Sequence, residues 1–326
     1  MSPRLVVVIG ATGSQGGSVA RELLKSPQLY QVRAVTRDPS KPAAQELATL
    51  GAEIQAADLG DGVEALTAVF AGADAVFALT DFWATQSSEV EIAQGRAIVD
   101  AAARTSTLQH FVWSALPDPE KLPGGALMHI HHWKGKSLVT DYIQQQHPNL
   151  WAATTTVLFP NYFENCLTHP ERYLSKPDAQ GVYNMSFPHG PLTVMPNVSI
   201  RDTGKLVRLV RLVLESGSTY FTRTIAFYCQ ALSEAEKLAS IGRKYNLQTK
   251  YQTLDPDDYE RLLETRDGMS PVIALDFTEQ LLMFERFGNV YDTPEIVQAK
   301  EIPGLKLQTW AEFLAEHDLL AYMKKL

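Results

Sequence analysis

Three glycines that follow a short apolar run constrain the fold of this chain more than any other feature. The apolar run covers residues 5–9, and Gly10, Gly13 and Gly16 come next in the spacing G-x-x-G-x-x-G. Glycine permits a tight turn, lets a ligand approach the backbone closely and lets a helix pack against a strand. The free N–H groups at the start of that helix form an anion site. The sequence therefore predicts a dinucleotide-phosphate cradle made by Gly10, Ala11, Thr12, Gly13, Ser14, Gln15 and Gly16.

Short β-branched runs alternate with helical stretches over the first half of the chain. Strands are predicted at residues 5–9, 32–36, 53–56, 75–80, 111–115 and 154–159. Helices are predicted between them at residues 14–25, 41–50, 63–70, 90–104 and 132–146. This alternation is typical of a parallel sheet covered by helices on both faces, with right-handed crossovers between the strands. We therefore expect an α/β fold with a doubly wound, Rossmann-type parallel sheet.

The end of the second predicted strand carries a cation where an acidic residue is usual in NAD-binding proteins. An aspartate or glutamate at this place binds the ribose 2′-hydroxyl of NAD. Here Thr36 and Arg37 occupy it, Asp38 is adjacent, and Lys41 lies four residues after Arg37. Arginine pairs with a phosphate through two parallel hydrogen bonds and stacks on adenine. The sequence predicts NADP(H) as the cofactor, with NAD as the alternative if Asp38 turns toward the ribose.

The alternation of strands and helices ends after Pro160. Residues 161–200 are rich in Pro, Asn, Gly, Tyr and Phe, which is typical of loops with short strands. Helices are predicted at residues 203–215, 256–265 and 272–287 and from Ser233 onward, with strands at residues 224–229 and 250–253. We expect an NADP(H)-binding Rossmann domain at residues 1–160. Residues 161–326 are expected to form a smaller α+β substrate or partner region packed on the edge of the sheet.

Composition and charge argue against several classes of protein. The 326 residues carry a net charge of -8, which argues against a broad basic surface for nucleic acid. No apolar run reaches the about 18 residues that a membrane-spanning helix needs. The cysteines, Cys166 and Cys229, do not make a disulfide framework in so long a chain. The histidines at 129, 131 and 132 lack accompanying metal ligands. We expect a cytoplasmic monomer or homodimer without a metal ion.

Polar residues also follow the third and fourth predicted strands. Asp58 and Leu59 follow the third strand, where a carboxylate or backbone group can meet the adenine amino group of a bound cofactor. Thr80, Asp81 and Phe82 follow the fourth strand, beside the expected place of the nicotinamide ribose. In open α/β sheets, ligands bind in the crevice outside the carboxyl ends of the strands. For each group, the alternative is a local cap of its loop.

Several segments, in a fixed order, resemble one known family. They are LVVVIGATGSQGGSVARELL, VRAVTRDPSKPAAQELATLGAEIQAADLGD, TDFW, HWKGK, PNYFEN, TVMPNVSIRDTG and LQTWAEFLAEH. The chain resembles the NmrA-like family of atypical short-chain dehydrogenases/reductases, especially its HSCARG-type redox-sensor branch, over essentially its whole length. This resemblance implies NADPH binding by residues 10–15, Arg37, Lys41, Asp58, Leu59, Thr80, Asp81, Phe82, Lys136, Pro160, Tyr162, Phe163, Glu164 and Asn165.

The catalytic residues of a typical short-chain dehydrogenase are only partly present. Such enzymes use Tyr-x-x-x-Lys, in which the lysine binds the nicotinamide ribose and the tyrosine passes a proton. The lysine is Lys136 here, but position 132 is histidine, and Ser114 ends the fifth predicted strand where these enzymes orient substrate. Histidine titrates near neutral pH and is suited to proton transfer. The candidate catalytic residues are Lys136, His132 and Ser114, although His132 can equally serve as a helix cap or in packing.

Two functions follow from these residues and from the resemblance. In the first, the protein is an NADPH-dependent reductase of a small carbonyl, enone or imine substrate, with His132 as proton donor. In the second, which the resemblance to the HSCARG-type branch implies, the protein is a non-catalytic NADPH/NADP redox sensor that regulates a partner protein, so that a nuclear location is also compatible. Position 132 separates the two functions, because a sensor needs Lys136 for the cofactor but no proton donor.

Overall fold

An eight-stranded parallel sheet forms the centre of the computed structural model, which describes residues 2–122, 129–206 and 219–326. The described strands, in chain order, are β1 Arg4–Val8, β2 Tyr30–Thr36, β3 Glu53–Ala56, β4 Ala75–Ala78, β5 His110–Ala115, β6 Thr154–Leu158, β7 Asn161–Tyr162, β8 Lys176–Pro177, β9 Tyr183–Phe187, β10 Val194–Val198, β11 Arg223–Ala226, β12 Gln230–Ser233, β13 Thr249–Thr253 and β14 Val297–Gln298. The central sheet has the order β14-β11-β6-β5-β4-β1-β2-β3. From β1 the chain adds strands toward β3 on one side and from β4 onward on the other side, so the switch point of this doubly wound fold lies between β1 and β4.

Helices cover both faces of this sheet. The described α-helices are Ser14–Leu24, Pro42–Thr49, Val63–Phe70, Ser88–Ala103, His131–Gln146, Pro148–Trp151, Asn165–Thr168, Pro170–Tyr173, Glu234–Tyr245, Pro256–Asp267, Pro271–Phe287, Trp310–Glu316 and Leu319–Met323. Val7 and Ile9 belong to one buried hydrophobic cluster, whereas Val6 and Val8 belong to another. Because successive side chains of a strand point to opposite faces, the two clusters lie on the two sides of the sheet. The predicted doubly wound α/β fold is confirmed.

The second half of the chain adds strands to the central sheet. β11 pairs with β6, and β14 pairs with β11, all in parallel. Two further sheets have the orders β12-β10-β7 and β13-β9-β8. Residues 161–326 therefore extend the central sheet as well as forming smaller α+β structure, and the domain division at residue 160 stays a prediction.

The described elements differ from the predicted ones mainly in the second half. Residues 161–200 contain two short helices and four strands, which is more regular structure than their composition predicts. The predicted helix at residues 203–215 falls largely on residues 207–218, which lie outside the described residues, and its described beginning belongs to the 3₁₀ turn Ile200–Leu206. Among the described residues, no helix has the length and apolar character needed to span a membrane.

Candidate functional site

A cleft of about 700 Å³ opens at the carboxyl ends of the central strands. It lies where ligands bind in open α/β sheets, next to the switch point of the strand order. The predicted site residues that line the cleft are Gly10, Thr12, Gly13, Ser14, Gln15, Gly16, Arg37, Lys41, Asp58, Leu59, Thr80, Asp81, Phe82, Ser114, His132, Lys136, Pro160, Tyr162 and Asn165. One cleft therefore brings together residues that the sequence places on six different strand ends and on the helix His131–Gln146.

Three predicted cofactor contacts lie outside the cleft lining. Ala11 is fully buried within the glycine turn. Phe163 is buried and packs its ring against Trp310, with 5.4 Å between ring centroids. The Glu164 carboxylate accepts a hydrogen bond of 2.7 Å from the Ser199 hydroxyl. The side chains of Phe163 and Glu164 are therefore engaged away from the cleft lining, and contact of these residues with a cofactor stays a prediction.

The glycine turn has the shape of a phosphate cradle. Gly10 has a φ of +63°, in the region that disfavours residues with a Cβ. A Cβ on Gly16 would lie 2.5 Å from the Gly10 carbonyl oxygen, so the turn leaves no room for a side chain there. The helix Ser14–Leu24 begins after Gly13 with no side-chain cap and no acidic residue in its first turn. Its first N–H groups and the positive end of its dipole are therefore available to an anion.

Two cations stand at the end of β2 without a side-chain partner. Within the described residues, neither Arg37 nor Lys41 makes a side-chain hydrogen bond or an ion pair, and both line the cleft. The neighbouring Asp38 carboxylate instead accepts hydrogen bonds from the Ser40 hydroxyl at 2.6 Å and the Ser40 N–H at 2.9 Å. These bonds hold the pKa of the Asp38 carboxyl below its usual range. Asp38, which also lines the cleft, is therefore engaged through its Oδ1 atom within its own loop, beside the two cations.

A buried ion pair holds Lys136 at the wall of the cleft. The Lys136 ammonium donates to the Thr80 carbonyl oxygen at 2.9 Å and the Thr80 hydroxyl at 3.0 Å, and it also contacts the Glu91 carboxylate. Glu91 is fully buried, and a Cβ on Gly135 would lie 2.5 Å from its Oε2 atom. The absence of a side chain at Gly135 therefore leaves room for the Glu91 carboxylate. Glu91 was not singled out in the sequence analysis.

His132 is held by a second carboxylate that the sequence analysis missed. Asp276 accepts a hydrogen bond of 3.1 Å from the His132 backbone N–H and a second bond from the imidazole Nδ1. Asp276 is fully buried on the helix Pro271–Phe287, and His132 is almost fully buried. The imidazole also packs against the rings of Phe82 and Trp83, at 5.8 and 5.2 Å between centroids. His132 thus has both the helix-start position and a specific orienting partner.

A chain of hydrogen bonds connects Ser114 to the segment after β6. The Ser114 hydroxyl donates to the Gln15 side-chain oxygen at 3.0 Å, and the Gln15 amide donates to the Tyr162 hydroxyl at 2.5 Å. Burial raises the pKa of the Tyr162 hydroxyl, so this group stays a neutral phenol. The Gln15 side chain therefore bridges the first helix and the second half of the chain across the cleft.

The polar residues after β3 and β4 cap local turns. The Asp58 carboxylate accepts from the Gly60 N–H at 2.7 Å, and the Asp81 carboxylate accepts from the Trp83 N–H at 3.1 Å. Both residues also line the cleft. The loop-cap alternative is therefore present in the structure, and contact of these residues with a cofactor stays a prediction.

The end of the cleft formed by the second half is largely aromatic and apolar, and it also includes the polar residues Asn161, Asn165, His169 and Gln280. The helix Pro271–Phe287 contributes several residues to it, and other residues come from the segments after β6. The lining residues of this end include Tyr173, Met195, Phe277, Leu281, Phe284 and Tyr291. Among the described residues, no group of three or more His, Cys, Asp or Glu side chains is placed to hold a metal ion.

Comparisons with known proteins identify the family. A family model described as the NmrA-like family matches residues 2–314, and the chain therefore belongs to the NmrA-like family. An NmrA-like family domain-containing protein of Dictyostelium discoideum is 28% identical over 291 residues, which cover 88% of this chain and 89% of that relative. An NmrA-like family domain-containing oxidoreductase of Aspergillus hancockii is 46% identical over 127 residues, which cover 38% of this chain and 37% of that relative.

Two solved structures share the fold. NmrA, a negative transcriptional regulator solved in complex with NADP, superimposes with a TM-score of 0.69 at 22% identity, covering 100% of this chain and 96% of that one. An NADPH-dependent quinone oxidoreductase of Escherichia coli, complexed with NADPH, gives a TM-score of 0.70 at 20% identity, covering 96% of this chain and 99% of that one. At these identities the likeness establishes the common fold.

Proposed function

We propose that the protein is an NADP(H)-dependent oxidoreductase that reduces a small carbonyl, enone or imine compound. The observation that carries this proposal is the composition of the cleft, which joins a glycine turn, two unpaired cations and the side chains of Ser114, His132 and Lys136. The names of similar proteins support it, since the Aspergillus hancockii relative is called an oxidoreductase and the Escherichia coli protein with this fold is NADPH-dependent.

The residues of this chain fit a bound NADP(H). The crowded position of Gly16 brings bare backbone to the cleft, where a pyrophosphate can meet the start of the first helix. Arg37 and Lys41 supply the charge for a 2′-phosphate, and Asp38, the acid that would select a ribose hydroxyl, has its Oδ1 atom engaged by Ser40. When bound, NADPH supplies a hydride for the reduction.

Three side chains of the chain then position and protonate the substrate. Lys136, whose ammonium bonds to Thr80 and Glu91, can exchange a bond to Thr80 for a bond to the hydroxyls of a ribose at the cleft wall. The Ser114 hydroxyl can exchange its bond to Gln15 for a bond to a substrate oxygen or nitrogen. His132 lines the same cleft and can give a proton to that atom as negative charge develops on it.

The test is NADPH oxidation by the purified full-length protein against a panel of carbonyls, enones and cyclic imines. We expect turnover by the wild type and a loss of about a hundredfold to ten-thousandfold in His132→Ala, as for other acid–base groups. Lys136→Ala should weaken both NADPH binding and turnover, because its role is positional and electrostatic. A wild type that binds NADPH tightly but oxidises it with none of these acceptors contradicts the reductase function. If His132→Ala retains wild-type turnover, the reductase function stands, but His132 is not its proton donor.

A non-catalytic redox sensor is the second candidate function. The specific observation that favours it is that Tyr162 and Asn165, from the second half, line the same cleft as the glycine turn, so cofactor occupancy would act directly on that half. The regulator NmrA, with the same fold, was solved with NADP. Tight NADPH binding without turnover, together with a partner protein whose affinity differs between the NADPH-bound and NADP-bound forms, would support this function.

A further inference from the structure

Two histidine–carboxylate pairs join the start of the helix His131–Gln146 to the helix Pro271–Phe287. The His129 backbone N–H and Nδ1 both bond to the Glu279 carboxylate, each at 2.9 Å. His132 repeats the arrangement with Asp276, which binds its backbone N–H and its Nδ1. The two histidines are three residues apart, and so are the two carboxylates. The same pair of hydrogen bonds, from a backbone N–H and an imidazole Nδ1 to one carboxylate, therefore occurs twice, so the environments of the two pairs can be compared directly.

The two pairs differ in burial. The His129 side chain is 51% exposed and that of Glu279 is 14% exposed. The His132 side chain is only 7% exposed, and that of Asp276 is 0% exposed. A buried carboxylate is costly unless its oxygens are bonded, and within the described residues both oxygens of Asp276 bond to His132 alone. A structural role is enough to explain the outer pair, His129 and Glu279. In the inner pair, the buried carboxylate of Asp276 is bonded to a single imidazole, that of His132, which lines the cleft.

The carboxylate fixes which imidazole nitrogen is free. An ionised carboxylate only accepts hydrogen bonds, so the imidazole Nδ1 that faces Asp276 carries a proton. Nε2 is then the nitrogen that can hold a transferable proton, and none of the hydrogen bonds that His132 makes among the described residues involves it. We propose that Asp276 is a positioning residue that holds His132 in the Nδ1–H form, so that Nε2 delivers the proton to the acceptor. This inference rests on the proposed reductase function.

The same helix indicates the chemical class of the acceptor. Phe277, Leu281 and Phe284 line the cleft at the i, i+4 and i+7 spacing of one helical face, which adjoins the face that carries Asp276. Trp83, half-exposed, packs against the imidazole. This aromatic end, to which the same helix adds the polar Gln280, suits a flat, conjugated carbonyl or imine compound with a polar atom at His132.

The reduction balances with the groups in this cleft. The acceptor carbon gains the hydride that the reduced nicotinamide loses, so the acceptor is reduced by two electrons and the nicotinamide is oxidised by two. The π electron pair of the acceptor moves to its oxygen or nitrogen, which takes the proton from Nε2 of the imidazolium. His132 is left neutral with its proton on Nδ1, still bonded to Asp276, and Nε2 regains a proton from water.

The first test observes the imidazole itself and needs no cofactor and no turnover. In full-length protein labelled with ¹⁵N-histidine, NMR should show one histidine with a protonated Nδ1 whose proton resonates far downfield and exchanges slowly. The signal should vanish in His132→Gln, which assigns it, and in Asp276→Asn, and it should remain in Glu279→Gln, the matched control from the outer pair. A wild-type His132 protonated on Nε2 alone, or a signal that survives in Asp276→Asn, overturns the inference.

The second test separates positioning from packing. We expect kcat of Asp276→Asn to fall about a hundredfold to ten-thousandfold, as when a triad aspartate or an acid–base group is lost, with the Kd for NADPH unchanged. Glu279→Gln should keep kcat within about twofold, since the outer pair does not reach the cleft. Equal losses in both variants, or a loss only in cofactor affinity, overturn the positioning role. If the wild type gives the expected NMR signal but oxidises NADPH with none of the acceptors, the proposed reductase function is contradicted. The delivery of a proton by His132 is then contradicted as well.

Discussion

The buried pair of Lys136 and Glu91 should show strong coupling in a double-mutant cycle. The Glu91 side chain is 0% exposed and that of Lys136 is 13% exposed, so water screens the pair only weakly. Removing one partner of such a pair costs about 3–5 kcal/mol, because the other charge stays buried without compensation. We expect Lys136→Met and Glu91→Gln each to lower the free energy of unfolding by an amount in this range. The double variant leaves neither charge, so its loss should be smaller than the sum by about 1–3 kcal/mol.

Urea unfolding of the four proteins, followed by circular dichroism, measures this coupling. The matched control is the exposed pair Arg104 and Glu64, whose atoms lie 3.1 Å apart but in contact with solvent. Exposed pairs contribute about 0–1 kcal/mol, so the control cycle should be nearly additive. If the coupling of Lys136 with Glu91 is no larger than that of the control, the argument that burial fixes Lys136 at the cleft wall is refuted.

Three further predictions concern the cofactor, acid stability and the segment after β6. Arg37→Ala should weaken NADPH binding about tenfold or more and leave NADH binding unchanged, because a partly exposed arginine–phosphate pair contributes about 1.5–3 kcal/mol. Calorimetric titration with both cofactors measures this. The control variant Lys25→Ala, at an exposed residue that does not line the cleft, should leave both affinities unchanged. Burial lowers the pKa of His110 from 6.5 to about 3, so the folded protein excludes a proton that the unfolded chain binds below about pH 6.5. Stability should therefore fall as pH drops from about 6.5 toward 3, by about 2–3 kcal/mol at pH 4.5, and His110→Gln should flatten this dependence in urea titrations. Added NADPH should slow hydrogen exchange across residues 161–200, since Tyr162 lines the cleft, and unchanged exchange would argue against both ordering and sensing.

The fold and the phosphate cradle are readable from the sequence because both depend on local patterns. The glycine spacing dictates one tight turn, and the alternation of strands and helices dictates a parallel sheet. The two strands that the second half adds to that sheet are harder to assign. β14 has only two residues, too few for a period-two pattern, and β11 looks the same in sequence whether it joins the central sheet or a smaller one.

The orienting carboxylates of the site were missed because they come from far along the chain. Asp276 is 144 residues from His132, and Glu91 is 45 residues from Lys136, so no spacing rule connects them. The available signal for Asp276 is a single acid in the otherwise apolar stretch of residues 271–277.

The segment after β6 contains side chains that line the cleft and side chains that do not. Pro160, Asn161 and Tyr162 line the cleft in succession, whereas the next side chain, Phe163, is buried against Trp310. The sequence of this segment does not show where the change occurs, because the residue that packs against Phe163 comes from far along the chain.

The most direct test of the reductase function is the transfer of deuterium from NADPH to an acceptor. The full-length protein is incubated with NADPH that carries deuterium at both C4 positions of the nicotinamide and with a flat conjugated enone or cyclic imine, and the product is examined by mass spectrometry. The proposed function predicts one deuterium on carbon per product molecule, with transfer strongly reduced in His132→Ala. Saturating NADPH binding with no deuterium in any product would contradict it and favour the sensor.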